Sequence, residues 1–210
     1  MPIILNERQV GFDTSTVGFP DIGSCMVLAV QVDGGLYGFH IMPKETDKIG
    51  AFLQYFNGHV STGAMRHLYG CCRWTERYGG GGTRADWEAE MRAIAGLLGY
   101  SGPVSGFDAA AGTKIKDAEA IYIELRRIGT ASVSYHHKRS SKMDYTKDNS
   151  ASASPHLRGI LPDPTAVIGF KLTNKLTFGN TSVAAVKPTS SNKGEIHQVK
   201  GKDVVTFDAP

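Results

Sequence analysis

Cys25 and His40 are the two residues in the chain whose types and spacing could do chemistry together. They lie in DIGSCMVLAVQVDGGLYGFHIMP, residues 21 to 43. A free thiol is only slightly ionised at neutral pH. An imidazole within hydrogen-bond reach can take its proton and make the sulfur a nucleophile. Gly23 and Ser24, just before the cysteine, allow a tight turn. Backbone N–H groups around Ser24 and Cys25 could then hold the oxyanion of a tetrahedral intermediate.

Whether the pair can meet depends on the strands that carry it. SCMVLAVQVD is apolar and rich in β-branched residues, so it reads as a buried strand. LYGFHIMP is the return strand, stopped by Pro43, and DGG between them is a hairpin signal. If Asp33 and Gly34 form a two-residue turn, Val32 faces Gly35, and paired positions sum to 67 (32 + 35). His40 then faces Val27, two residues from Cys25 and on the same sheet face. The two side chains become diagonal neighbours, roughly 7–8 Å apart by backbone position. A Gly34–Gly35 turn would instead put His40 opposite Ala29, too far away. One register permits a dyad and the other does not. The competing reading is a core cysteine and an unrelated, satisfied histidine.

Around this hairpin the chain reads as a mixed α+β domain with a β-sandwich-like, strand-rich core flanked by helices. The opening residues, MPIILNERQVGFDTSTVGFP, read as short strands and loop. TDKIGAFLQYFNGH has helical spacing in Ile49, Phe52, Leu53 and Phe56, with Thr46 or Asp47 as its cap. GAMRHLYGCCRWTER reads as a strand. A glycine run precedes a clear helix over 84–98, where Thr83 and Asp86 make a near capping box. VSGFDAA reads as strand and loop, DAEAIYIELRRIG as a second strong helix ended by Gly129, and TASVSYHH as a strand. Residues 138 to 156 are polar and read as an exposed, mobile loop. AVIGFKL, KLTFGN, TSVAAVKP, EIHQVKG and DVVTFDA read as further strands.

The chain's 210 residues fit a single domain with a real core. A net charge of +3 is far from that of a dedicated nucleic-acid binder, so no nucleic-acid partner is expected. The N-terminal residues lack a basic segment followed by a long apolar one, so no Sec signal peptide is expected. No run approaches membrane-spanning length. The expectation is a soluble protein, monomeric by default, cytoplasmic or delivered to another cell by a dedicated secretion route.

Other motifs fail on spacing. The glycines at 79 to 82 and AGTK at 111 to 114 lack a phosphate-loop pattern. The basic stretch HHKRSSK reads as a solvated loop. Cys71 and Cys72 are adjacent, with no base in view, and read as structural free thiols. No zinc-ligand spacing occurs among the seven histidines, so no metal site is expected. His136 and His137, neighbours on a strand, would point to opposite faces.

IGSC (Ile22 to Cys25), the apolar strand and GFHIMP (Gly38 to Pro43) resemble the nucleophile-and-histidine hairpin of the CheD chemoreceptor glutamine deamidases. The same Cys–strand–His arrangement occurs in the catalytic domains of cytotoxic necrotizing factor and Burkholderia lethal factor. The separation here, 40 − 25 = 15, suits that superfamily. DAEAIYIELRRIGTASVSY is also similar to the CheD helix and the strand after it. The resemblance covers about residues 20 to 45, with weaker support to about 137, and does not extend to the C-terminal third.

The resemblance implies a protein glutamine deamidase with Cys25 as nucleophile, His40 as base, and no cofactor or metal. Its partner would be a protein substrate carrying a reactive glutamine. One position departs from the family. CheD and the lethal factor place a threonine six residues before the cysteine to orient the histidine, and Phe19 stands there in this chain. Thr16 and Thr14 are candidate orienting groups; a main-chain carbonyl fills that part in the necrotizing factor. With no chemotaxis-like context, the analogy points to a stand-alone bacterial toxin or effector acting on a host protein. Rival expectations are another Cys–His chemistry, such as a peptidase or transglutaminase, and a binding or immunity-type module without catalysis.

Overall fold

The computed structural model describes residues 3–5, 7, 9–57, 64–115, 120–130, 132–140, 158–160 and 196–210. The N-terminal part supplies five strands: β1 (Ile3–Ile4), β2 (Gln9–Asp13), β3 (Thr16–Ile22), β4 (Met26–Val32) and β5 (Gly35–Ile41). Helix α1 (Ile49–Asn57), strand β6 (His67–Cys72), and helices α2 (Trp74–Tyr78) and α3 (Arg84–Leu98) follow. Then come β7 (Pro103–Asp108), α4 (Ala109–Thr113), β8 (Ala120–Ile128) and β9 (Ser132–Ser140). The described C-terminal strands are β10 (Arg158–Ile160), β11 (His197–Gln198) and β12 (Val205–Asp208).

The strands form two sheets, and the fold is α+β with a strand-rich core. One sheet has the order β1-β3-β8-β9-β11 and the other β10-β2-β5-β4-β6-β7-β12. Strand β4 sits mid-sheet with every residue buried. Its two faces serve different cores. Val27 and Ala29 pack with Val17, Phe19, Ile121, Ile123 and Leu125 of the five-stranded sheet. Met26, Leu28 and Val30 pack with Phe52 of α1 and with Trp87, Met91 and Ile94 of α3. The layers are therefore helices, the seven-stranded sheet, then the five-stranded sheet. Parallel strands β6 and β7 are joined through α2 and α3, as a parallel pair requires a crossover.

Local signals explain several elements. Val32 faces Gly35 across a turn at Asp33 and Gly34, so the register of β4 and β5 sums to 67 along the hairpin. The Thr83–Asp86 capping box is complete, and Gly99 ends α3 in the left-handed conformation. Thr46 does not cap α1; its hydroxyl donates to Glu90 Oε1 at 3.1 Å.

Three expectations are corrected. Residues 120–128 are strand β8, not helix. Ala, Glu, Leu and Arg favour a helix, but the run alternates: Ile121, Ile123 and Leu125 enter the inter-sheet core. The reverse face carries Tyr122 and Glu124, whose hydroxyl and Oε2 bond at 2.6 Å. Burying one period-2 face outweighs intrinsic propensity. Residues 138–140, expected in the exposed loop, belong to β9. Lys138 is buried there, its ammonium 5.3 Å from the centre of the Tyr122 ring. Finally, RWTER leaves the strand and turns into α2 after Cys72. The remainder of the expected loop, 141–156, and the strands expected at AVIGFKL, KLTFGN and TSVAAVKP lie outside the described residues.

Gly38 of β5 is a close-approach point between the sheets. A Cβ there would lie 2.6 Å from Leu5 Cδ1 and 2.9 Å from Phe19 Cζ, both in the inter-sheet core. Gly38→Ala is expected to lower stability by about 1–3 kcal/mol through overpacking. Gly80→Ala, at a position with open space around it, should stay within about 0.5 kcal/mol of wild type. Urea unfolding of both variants checks this; equal stabilities would show that the sheets are not in contact at Gly38.

Candidate active site

Three segments converge on the inter-sheet face near the start of β4. The first is the turn that delivers Cys25. Asp21 adopts a left-handed φ of 60°, and the Gly23 N–H donates to the Asp21 carbonyl at 3.0 Å. A Cβ on Gly23 would lie 3.2 Å from Glu76 Oε2, so the turn runs close against α2. Cys25 follows immediately before β4, 4% exposed, within the inter-sheet cluster that also holds Val27.

The second segment is β5. His40 faces Val27 and is fully buried. Its position two residues from Gly38 and four from Leu36, which packs in the inter-sheet cluster, puts it on the same face as Cys25. Cys25 and His40 are thus diagonal neighbours on one face, the arrangement of the Asp33–Gly34 register. They are not hydrogen-bonded through His40 Nε2, which is buried without a hydrogen-bond partner among the described residues. The Cys25 thiol donates to Glu7 Oε1 at 3.9 Å.

The third segment is the N-terminal chain. Leu5 extends the parallel pairing of β1 with β3, its N–H donating to the Gly18 carbonyl at 2.8 Å. Its own carbonyl accepts from His40 Nδ1 at 2.9 Å. A carbonyl can only accept, so the proton sits on Nδ1 and the Nε2 lone pair is open. This corrects the expectation for Thr14 and Thr16. Thr16 opens β3 at the end away from Cys25, where it pairs with Arg126, and Thr14 lies exposed before the strand. Phe19, which fills the threonine's place, sets its ring edge-on to His40 at 6.2 Å between centroids. The aromatic packs the imidazole and the Leu5 carbonyl orients it.

Burial pushes His40 down from 6.5 to about 4; the Leu5 bond acts against this and the nearby Arg77 charge adds to it. The ring is therefore neutral at physiological pH, with the tautomer a proton acceptor at Nε2 requires.

Sequence reading missed the residues behind the turn. Arg77 of α2 donates through Nη1 to the Ser24 carbonyl at 3.2 Å. Its Nε and Nη2 grip the two oxygens of Glu90, each at 2.6 Å. Tyr78 adds a bond to Glu90 Oε2 at 2.7 Å. Arg77 and Glu90 stand 13 residues apart, and no helical or strand period links them, so the sequence carried no signal for the pair.

The other thiols are placed differently. Cys71 faces Val27 from β6 on the inter-sheet side, and Cys72 packs on the helix side. Both are fully buried, which pushes Cys71 well up and Cys72 to about 12. Among the described residues no three His, Cys, Asp or Glu side chains are grouped to hold a metal ion. No described helix is long and apolar enough to cross a membrane. No protein-family model matches the chain, and no curated protein matches it.

The buried imidazole makes stability depend on pH. Its folded value lies below its unfolded one, so its contribution is complete above about 6.5 and is lost as the pH falls towards about 4. Between pH 7.5 and 5 the wild type should lose roughly 2 kcal/mol more stability than His40→Gln, which cannot titrate. Urea unfolding at the two pH values measures this difference; parallel losses would show that His40 is not buried as a neutral base.

Proposed function

We propose that the protein is a cysteine-dependent glutamine deamidase acting on another protein. The observation that carries this reading is the shared face of Cys25 and His40, with Nδ1 held by the Leu5 carbonyl and Nε2 left as the open base. The resemblance of IGSC and GFHIMP to the deamidase hairpin supplies the reaction class. Cys25 Sγ attacks the carboxamide carbon of a glutamine as its proton passes to His40 Nε2. Backbone N–H groups at Ser24 and Cys25 hold the oxyanion. The C–N bond breaks, ammonia leaves with the proton from His40, and a thioester remains. Water, deprotonated by His40, then cleaves the thioester to glutamate and restores the thiol. The setting that fits such a stand-alone enzyme is a bacterial toxin or effector, carried by a dedicated secretion route to a host protein.

A second reading has its own observation. Cys25 is only 4% exposed and its thiol makes no bond to His40 Nε2, as a packing residue of a binding or immunity-type module would be. A peptidase or transglutaminase would use the same pair with a different acceptor or leaving group.

Ammonia release and intact-mass analysis of the target separate these. The wild type should convert one glutamine of a target protein to glutamate, releasing ammonia, with no chain cleavage and no amine incorporation. Cys25→Ser should abolish this, and His40→Ala should cost on the order of 10²–10⁴-fold. Cleavage or amine incorporation would assign the site to another hydrolase or transferase. A Cys25→Ser protein as potent as wild type in cells would leave only the binding module.

A further inference from the structure

The peptide that joins Ser24 to Cys25 is clamped from the helix layer. Arg77 Nη1 donates to the Ser24 carbonyl at 3.2 Å. The guanidinium cannot drift, because its other nitrogens make two 2.6 Å bonds to Glu90. Glu90 in turn accepts from Tyr78 at 2.7 Å and Thr46 at 3.1 Å. The Arg77 side chain is 2% exposed and that of Glu90 13%, so water does not compete freely for these bonds. The peptide is trans, and in a trans peptide the carbonyl and the following N–H point in opposite directions. Holding the Ser24 oxygen towards α2 therefore fixes the Cys25 N–H away from α2. Position 25 lies between the β6 side, from which α2 continues, and the β5 side, which carries His40.

We propose that Arg77 is a positioning residue that sets the Ser24–Cys25 peptide plane and so aims the Cys25 N–H at the oxyanion formed when Cys25 attacks a carbonyl. This rests on Cys25 being the nucleophile, but not on glutamine being the substrate. Arg77 touches no reacting atom. Its forked pairing with Glu90 is what lets a third nitrogen hold a carbonyl in a fixed direction. A lysine could not make all three contacts.

Two reagents divide the oxyanion from the thiol. Iodoacetamide alkylates sulfur by direct displacement, with no oxyanion. p-Nitrophenyl acetate acylates it through a tetrahedral oxyanion: the S–C bond forms, the ester C–O bond breaks, p-nitrophenolate leaves, and the thiol proton passes to His40. Arg77→Gln should slow acylation of Cys25 by about 10²-fold, the scale of losing one oxyanion donor. Its alkylation rate should change only by the few-fold that follows from lifting the Arg77 charge off His40. Because removing one partner of such a pair is destabilising, the double variant Arg77→Met with Glu90→Met removes both charges, and circular dichroism checks that it is folded. It should show the same split between the two reagents. Acylation and alkylation falling together, or neither changing in a folded variant, would overturn the proposal. If wild-type Cys25 is not acylated above the Cys25→Ser background, the nucleophile assignment fails and takes the clamp with it. If Cys25 is acylated equally in wild type and variant, the clamp alone fails.

Discussion

A slip of one residue between β4 and β5 would turn His40 to the helix face and leave Cys25 facing the other sheet alone. The pairing of Val27 with His40 is therefore the constraint on which the candidate site depends. Hydrophobic pattern does not set it, since both strands are buried on both faces. The two-residue turn at Asp33 and Gly34 does, because it closes the hairpin with Val32 opposite Gly35. From that count, every later pair follows. The same strand, β4, also aligns Val27 with Cys71 and Met26 with Cys72, which fixes the other two thiols on opposite faces.

Burial then gives each ionisable group near the turn its role. His40 is held neutral because desolvation outweighs the Leu5 hydrogen bond. Burial pushes Glu90 up, but the bonds and charge of Arg77, with Tyr78 and Thr46, outweigh it and keep the carboxyl low and ionised. The buried imidazole thus stays uncharged and open, and the part-buried carboxylate stays charged and saturated. The first suits proton transfer and the second suits a fixed scaffold. Cys71 and Cys72 show the third outcome, thiols that burial pushes up, away from the thiolate.

The hairpin and its register were legible because an Asp-Gly turn between two apolar runs has a countable geometry. The capping box of α3 was legible for the same reason: three residues carry the signal. Strand β8 was not, since its Ala, Glu, Leu and Arg favour a helix and only the alternation of Ile121, Ile123 and Leu125 speaks for a strand. The Leu5 carbonyl was invisible, because a backbone acceptor leaves no trace in residue type and 35 residues separate it from His40. Residue type points instead to side-chain hydroxyls, those of Thr14 and Thr16. Arg77 was hidden by reading GAMRHLYGCCRWTER as one strand. The chain leaves the strand after Cys72, and only then does Arg77 come round to Ser24.

The central claim is that Cys25 and His40 act as one chemical unit, although Cys25 is largely covered. The most direct measurement is the carboxamidomethylation rate of each cysteine by iodoacetamide at pH 7, followed by peptide mass spectrometry in wild type and in His40→Ala. The account predicts that Cys25 reacts fastest of the three thiols, with Cys71 and Cys72 protected, and that His40→Ala slows Cys25 by at least about tenfold. Cys25 reacting no faster than an ordinary thiol, at the same rate with and without His40, would contradict it.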